Sequence, residues 1–226
     1  MDRRFLHENL NNDLSKIIDK RIAILGCGAL GANLAISLAR RGFNKFFLFD
    51  YDKIEEHNIS TQPWVRQDIG RLKTRTLNAI LWTISNAETY EYHKKIEEVQ
   101  DIINALETGW KTDVDLIIDC FDNHEARQIS QDLRDIAPVL HAGMSNRNTG
   151  EITWSSQYTV PKNVELDDPC NYALSRTLIE LMTVTSSEAV INFLMNKQKV
   201  SYLINANTLA IVMTMMNISN KGKNNA

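Results

Sequence analysis

The sequence is poor in cysteine, with Cys27, Cys120 and Cys170 alone in 226 residues. No two of them stand at metal-ligand spacing and three cannot pair completely, which excludes a disulfide framework and suits a reducing, cytoplasmic setting. An excess of one charge is also missing. Lys and Arg number 25 against 28 Asp and Glu, so no broad attraction to nucleic acid is expected. The most apolar stretch, Leu178 to Leu194, carries Glu180 and Glu188. It reads as too short and too charged to span a membrane. The opening MDRRFLHENL has no signal-peptide pattern. Proline and glycine are sparse, and no Gly/Ser-rich linker or repeat divides the chain. With 43% hydrophobic and 23% charged residues, an ordinary globular domain is expected.

What is present is alternation. RIAIL (21–25), KFFLF (45–49), TYEYH (89–93) and DLIIDC (115–120) read as strands, three of them buried runs. Helical spacing separates them over 30–41, 69–84 and 99–106, and follows the last over 123–136. Strand and helix in turn imply an α/β fold, a Rossmann-like, mostly parallel sheet with helices on both faces. Beyond residue 136 the pattern changes. A short strand (PVLHAG), a long alternating strand over 150–160, a helix over 177–197 and a last apolar strand from Asn207 extend the sheet with antiparallel strands. The expected organisation is one domain over 1–226. It has an N-terminal helix (1–20), a nucleotide-binding half (21–135), a mixed half (136–218) and a disordered tail (219–226).

Gly26, Gly28 and Gly31 form G-x-G-x-x-G between the first strand and the first helix of the alternating region. The first glycine allows the turn, the second admits a phosphate to the backbone, and the third lets helix and strand pack. The helix amides then face the anion. Asp50 ends the next strand, 24 residues after Gly26, where a carboxylate can accept both ribose hydroxyls. To this point NAD and ATP fit equally.

The stretch after Asp50 departs from a dehydrogenase. It places Asp52, Asn58, Gln62 and Lys73 along one connection, and Asp122 and Asn123 just past the strand at 115–120. Ligands bind outside the carboxyl ends of parallel strands, so Gly26, Asp50 and Asp122 should border one crevice. A carboxylate there can hold Mg²⁺ on a triphosphate, and a lysine can balance phosphate charge. The plainer readings are a solvated lysine, turn amides and a helix cap at Asp122-Asn123.

The stretches ILGCGALGANLAISLARRG, FDYDKIEEHNISTQ, DIGRLKT and DCFDNHEARQ, in this order and spacing, resemble the ThiF/MoeB/ubiquitin-activating (E1-like) adenylyltransferase family. The resemblance implies ATP and Mg²⁺, and activation of the C-terminal carboxylate of a ubiquitin-like or sulfur-carrier protein or a peptide, with pyrophosphate released. By position it implies phosphates on the glycine loop and ribose on Asp50. It lines the phosphates with Asn58, Gln62 and Lys73, and puts the metal on Asp122. It also implies a homodimer in which an N-terminal arginine, Arg3 or Arg4, crosses to the partner's nucleotide. An open groove for an extended tail is expected beside 150–160 and the loop around Asp168.

Three positions depart from the family pattern. Thr61 stands where an arginine is expected, with Arg66 and Arg4 as replacements. Ala173 follows Cys170 where a second zinc-binding cysteine would stand, so no structural zinc is expected. Cys170 is the sole candidate nucleophile for a thioester, and adenylation alone is the simpler reading. Besides the main reading, a tRNA-linked carboxylate substrate, a non-catalytic nucleotide-binding scaffold and an NAD-dependent oxidoreductase stay open.

Overall fold

A computed structural model describes residues 3–110, 113–161 and 173–214. Asp168, Cys170 and the tail from 219 lie outside them. Eight strands form one sheet in the order β3-β2-β1-β4-β5-β6-β7-β8. β1 (Arg21–Leu25), β2 (Lys45–Phe49), β3 (Glu88–Tyr92), β4 (Leu116–Asp119) and β5 (Val139–Met144) are parallel. β6 (Thr149–Trp154), β7 (Ser201–Asn205) and β8 (Ala210–Thr214) continue it antiparallel.

Side-chain alternation divides the parallel strands between two apolar layers. Ile22, Ile24, Phe46 and Leu48 face α2 (Ala29–Arg40), α3 (Lys73–Ser85) and α6 (Arg176–Asn196). Ala23, Leu25, Phe47 and Phe49 face α4 (Val99–Trp110) and the 3-10 turn Asp132–Asp135 that follows α5 (His124–Gln131). Most of these strand residues are fully buried, and each large apolar side chain contributes about 1.5–3 kcal/mol against the entropy of ordering it. Because β1 lies between β2 and β4, the chain reverses its direction of travel across the sheet at β1. The carboxyl ends of β1 and β4 therefore bound the switch-point crevice.

Several boundaries differ from the expected ones for local reasons. The helix expected over 1–20 is, among the described residues, a 3-10 turn at Arg3–Phe5, α1 (Leu6–Asn11) and another 3-10 turn at Leu14–Lys16. Asn12 is extended, Asn9 Oδ1 accepts from Leu14 N and Asp13 accepts from Ser15 N, so side chains replace the helix ladder. α3 starts at Lys73 rather than Ile69, because Gly70 adopts φ +86° and Leu72 is extended. The strand expected over 150–160 stops at Trp154, whose carbonyl accepts from Gln157 N in a turn. The last apolar stretch is half of a β7–β8 hairpin, turned at residues 206–209. α6, at 21 residues, has the length and mean hydropathy of a membrane span, contrary to expectation, yet 61% of its most apolar window is buried in the fold.

Candidate functional site

The glycine loop closes tightly. Gly26 has φ +90°, and a Cβ on Gly31 would be driven into the Gly26 carbonyl oxygen, so that position tolerates no side chain without moving α2. A Cβ on Gly28, by contrast, would meet no protein atom within 4 Å. The backbone there is open to a ligand, as a phosphate cradle requires. Asp50 fastens the loop to the end of β2. Its Oδ2 accepts from Cys27 N at 2.7 Å and its Oδ1 from Asp52 N at 2.8 Å. Each oxygen keeps a second lone pair for a ribose hydroxyl.

Lys73 reaches the same place because its connection folds back on itself. Ile54 N donates to Arg71 O, Gly70 N to Ile54 O, and Lys73 N to Asp52 O. The Lys73 ammonium is buried and lies 2.7 Å from Asp52 Oδ2. Burial works to lower its pKa. Asp50, the Asp52 hydrogen bond and Asp122 together outweigh it and hold the group above its ordinary value. Burial pushes the Asp50 carboxyl up, against Lys73 and its two backbone donors. The charges of Asp50, Asp52 and Asp122 are all felt at Lys73, so the structure brings these four residues into one field.

The remaining predicted residues divide. Asn58 and Gln62 are buried and partly serve the turn. Asn58 Oδ1 accepts from Glu55 N, and Gln62 Oε1 accepts from Trp64 Nε1 at 2.7 Å, which leaves both NH2 groups to donate to a ligand. Asn123 caps α5, its Oδ1 accepting from Ala126 N at 2.8 Å. Asp122, beside it, is exposed. Arg4 is not brought to the crevice of its own chain. It donates to Ile84 O and Asn86 Oδ1 at the end of α3 opposite Lys73, roughly 18 Å along a helix of that length. Arg66 is exposed in a 3-10 turn.

Sequence reading missed the support beneath Asp122. Phe121 N donates to Asp119 Oδ1 at 3.1 Å, and Phe121 O accepts from Arg127 Nε at 2.6 Å. Asp119 is 2% exposed and is itself held by Ser130 Oγ and His141 Nδ1, at 2.6 and 2.8 Å. A carboxylate closing an apolar run was the available signal, since strand alternation places Asp119 on the α5 face.

Among the described residues no cluster of three or more His, Cys, Asp or Glu side chains forms a metal cage. One exposed carboxylate beside a phosphate cradle suits Mg²⁺, which binds through one or two carboxylates and the phosphates themselves.

The pH response of the Asp50 carboxyl is a direct check on its role. Adenosine, whose sugar carries no titrating group, should lose affinity on acidification at a pH above the ordinary carboxylate value, where Asp50 takes up its proton. The sign for stability is opposite. The raised folded pKa favours the protonated fold, a contribution complete below 3.8 and lost as pH rises through the folded value. In Asp50→Asn the affinity should be low and flat with pH by calorimetry.

A glycine loop at the switch point of a mostly parallel sheet, with a carboxylate at the next strand end, defines an α/β fold of Rossmann type. The chain belongs to the ThiF family, whose sequence model matches residues 3–225. It is 33% identical over 126 residues to ubiquitin-like modifier-activating enzyme 5 of Drosophila simulans, covering 53% of this chain and 31% of that protein. The same enzyme of Caenorhabditis elegans is 30% identical over 122 residues, 51% of this chain and 29% of the relative. The chain thus spans about a third of the length of these curated relatives. Among solved structures, E. coli MccB with MccA-N7isoASN superposes with a TM-score of 0.77 at 16% identity, covering 96% of this chain and 72% of that one. E. coli MccB with ATP gives 0.73 at 18% identity, covering 95% and 72%. These likenesses establish the fold.

Proposed function

We propose that the chain adenylates a C-terminal carboxylate, on a ubiquitin-like or sulfur-carrier protein or on a peptide, using ATP with Mg²⁺ and releasing pyrophosphate. The observation that carries this reading is the open glycine loop with Asp50, Asp52 and the buried Lys73 fastened beside it, and Asp122 close enough for its charge to act on Lys73. A dinucleotide site has no need of a buried lysine and an exposed carboxylate in that field. The E1-like enzymes among the relatives and the ATP complex of MccB support the same reading.

In this mechanism the substrate carboxylate attacks the α-phosphorus in line, and the α–β bridging bond breaks to release pyrophosphate. The chain contributes position and charge. The loop amides and Asp50 fix the nucleotide at phosphate and sugar. The Asn58 and Gln62 amides donate to phosphate oxygens. Lys73, released from Asp52, neutralises charge that accumulates during transfer. Asp122 would hold Mg²⁺, which supplies Lewis-acid stabilisation of the phosphates. The partner carboxylate tail approaches from the β5–β6 side. Met182 fills the α6 face of β6 over Gly150, and Arg127 over Gly143 and Tyr158 over His141 cover the opposite face, so this strand pair does not form the open groove expected beside 150–160 and the tail would pass along its exposed Glu151. Homodimerisation is part of the proposal, because only a second copy can bring Arg4 to a nucleotide.

The test is ATP–pyrophosphate exchange with Mg²⁺, alone and with Gly-Gly-ended carrier proteins or short peptides. Exchange dependent on an added carboxylate supports the reading. Protection against heat by NAD and not by Mg-ATP would sink it.

A further inference from the structure

Thr61 occupies the position at which the family resemblance implies a phosphate-contacting arginine, and a threonine hydroxyl has neither the charge nor the reach to replace it. The structure nevertheless brings a guanidinium to this residue. Arg176, the first residue of α6, donates through a terminal nitrogen to the Thr61 carbonyl oxygen at 3.3 Å. The same oxygen accepts from Asn33 Nδ2 at 3.0 Å. Asn33 also donates to the Ala29 carbonyl at 2.6 Å, and Ala29 opens α2 directly after the glycine loop. Segments 28 and 115 residues apart in sequence therefore meet at one carbonyl, which Asn33 links to the first residue of α2.

We infer that Arg176 supplies the cation missing from position 61 and binds the outer phosphates of ATP. The inference rests on the adenylation reading above and adds a ligand residue that the family pattern places elsewhere in the chain. Three features support it. Ser175 caps α6, its side chain accepting from Leu178 N at 3.1 Å, so the backbone of Arg176 is fixed. The guanidinium is half-exposed, and its Nε pairs at 3.1 Å with Glu180, a carboxylate that is itself 66% exposed. An exposed pair of this kind exchanges readily for a phosphate, which accepts from a guanidinium at two oxygens at once. The other candidate cations stand elsewhere, with Arg4 at the far end of α3 and Arg66 exposed in its own turn. The charge thus comes from the first turn of α6 and rests against the Thr61 carbonyl.

Nucleotide titrations of the full chain separate this role from a structural one. The proteins are wild type, Arg176→Ala, and Arg176→Ala combined with Thr61→Arg; the ligands are Mg-ATP and AMP. Arg176→Ala should weaken Mg-ATP about tenfold or more, the scale of a charge-assisted hydrogen bond, and leave AMP within about twofold. Thr61→Arg should restore Mg-ATP affinity in that background. Equal weakening of both nucleotides, or no weakening, overturns the assignment while wild-type ATP binding leaves the adenylation reading standing. A selective loss that Thr61→Arg does not restore overturns the equivalence with position 61. Wild type that binds no Mg-ATP removes the adenylation reading, and this inference with it.

Discussion

Asp122→Ala should lower ATP–pyrophosphate exchange about a thousandfold and leave the thermal midpoint nearly unchanged. Its carboxylate is exposed and accepts no hydrogen bond among the described residues, so its removal costs the fold less than about 0.5 kcal/mol. The loss in rate is the loss of a fixed charge that organises the metal and phosphates during transfer, an effect of about 10²–10³ for a single electrostatic group and more where a metal leaves with it. Two neighbours provide the contrast. Asn123→Ala should cost about 1 kcal/mol of stability through its lost cap on α5, with the larger part of the exchange rate kept. Lys73→Ala should reduce both exchange and stability, because it removes a buried ammonium and leaves Asp52 without its ion-pair partner. Exchange assays and thermal melts on the three variants therefore read metal holding, capping and charge neutralisation separately. Undiminished exchange in Asp122→Ala would mean that the metal is held elsewhere, and the role assigned to the β4–α5 loop would fall.

The parts of this site that were legible in the sequence are those in which one residue's role is set by its near neighbours. The glycine spacing and a carboxylate at a strand end each follow a local rule, and they define much of the crevice once the strands are parallel. Boundaries failed where polar side chains compete with the backbone, as at Asn9 and Asp13, or where a positive φ at Gly70 delays a helix. The β7–β8 hairpin escaped notice because its turn is marked only by scattered asparagines. The partners in long-range polar contacts had no sequence signal, even where one member, such as Asp119, did. Arg176 reads as one more surface arginine in an i,i+4 pair with Glu180. Only the fold shows that it lies against Thr61, and so bears on the substitution that the sequence makes conspicuous.

His141→Ala should destabilise the chain by about 3 kcal/mol, more than an average substitution, although no sequence feature marks the residue. His141 and Asp119 are each 2% exposed, and the imidazole supplies one of the three hydrogen bonds recorded for the carboxylate. Its removal leaves a buried carboxyl group short of a hydrogen-bond partner, and the desolvation of that group is then uncompensated. The other ring nitrogen meets Ser155 Oγ at 2.9 Å, and the ring stacks on Tyr158 at 3.8 Å between centroids. The connectivity is that of a Ser-His-Asp triad, but Ser155 is buried and lies 3.4 Å from the Val139 carbonyl, and Tyr158 covers the ring. The arrangement is a strut. It ties β4, β5 and the segment after β6 beneath the loop that carries Asp122, since Asp119 also accepts from Phe121 N and Arg127 bridges Phe121 O to the Tyr158 hydroxyl. Denaturant unfolding should therefore show a large loss for His141→Ala. Together with Asp119→Ala it should cost less than the sum of the two single variants, because the double variant leaves no buried partner of that hydrogen bond unsatisfied. Additive losses would mean that the two side chains act independently and that the strut does not exist.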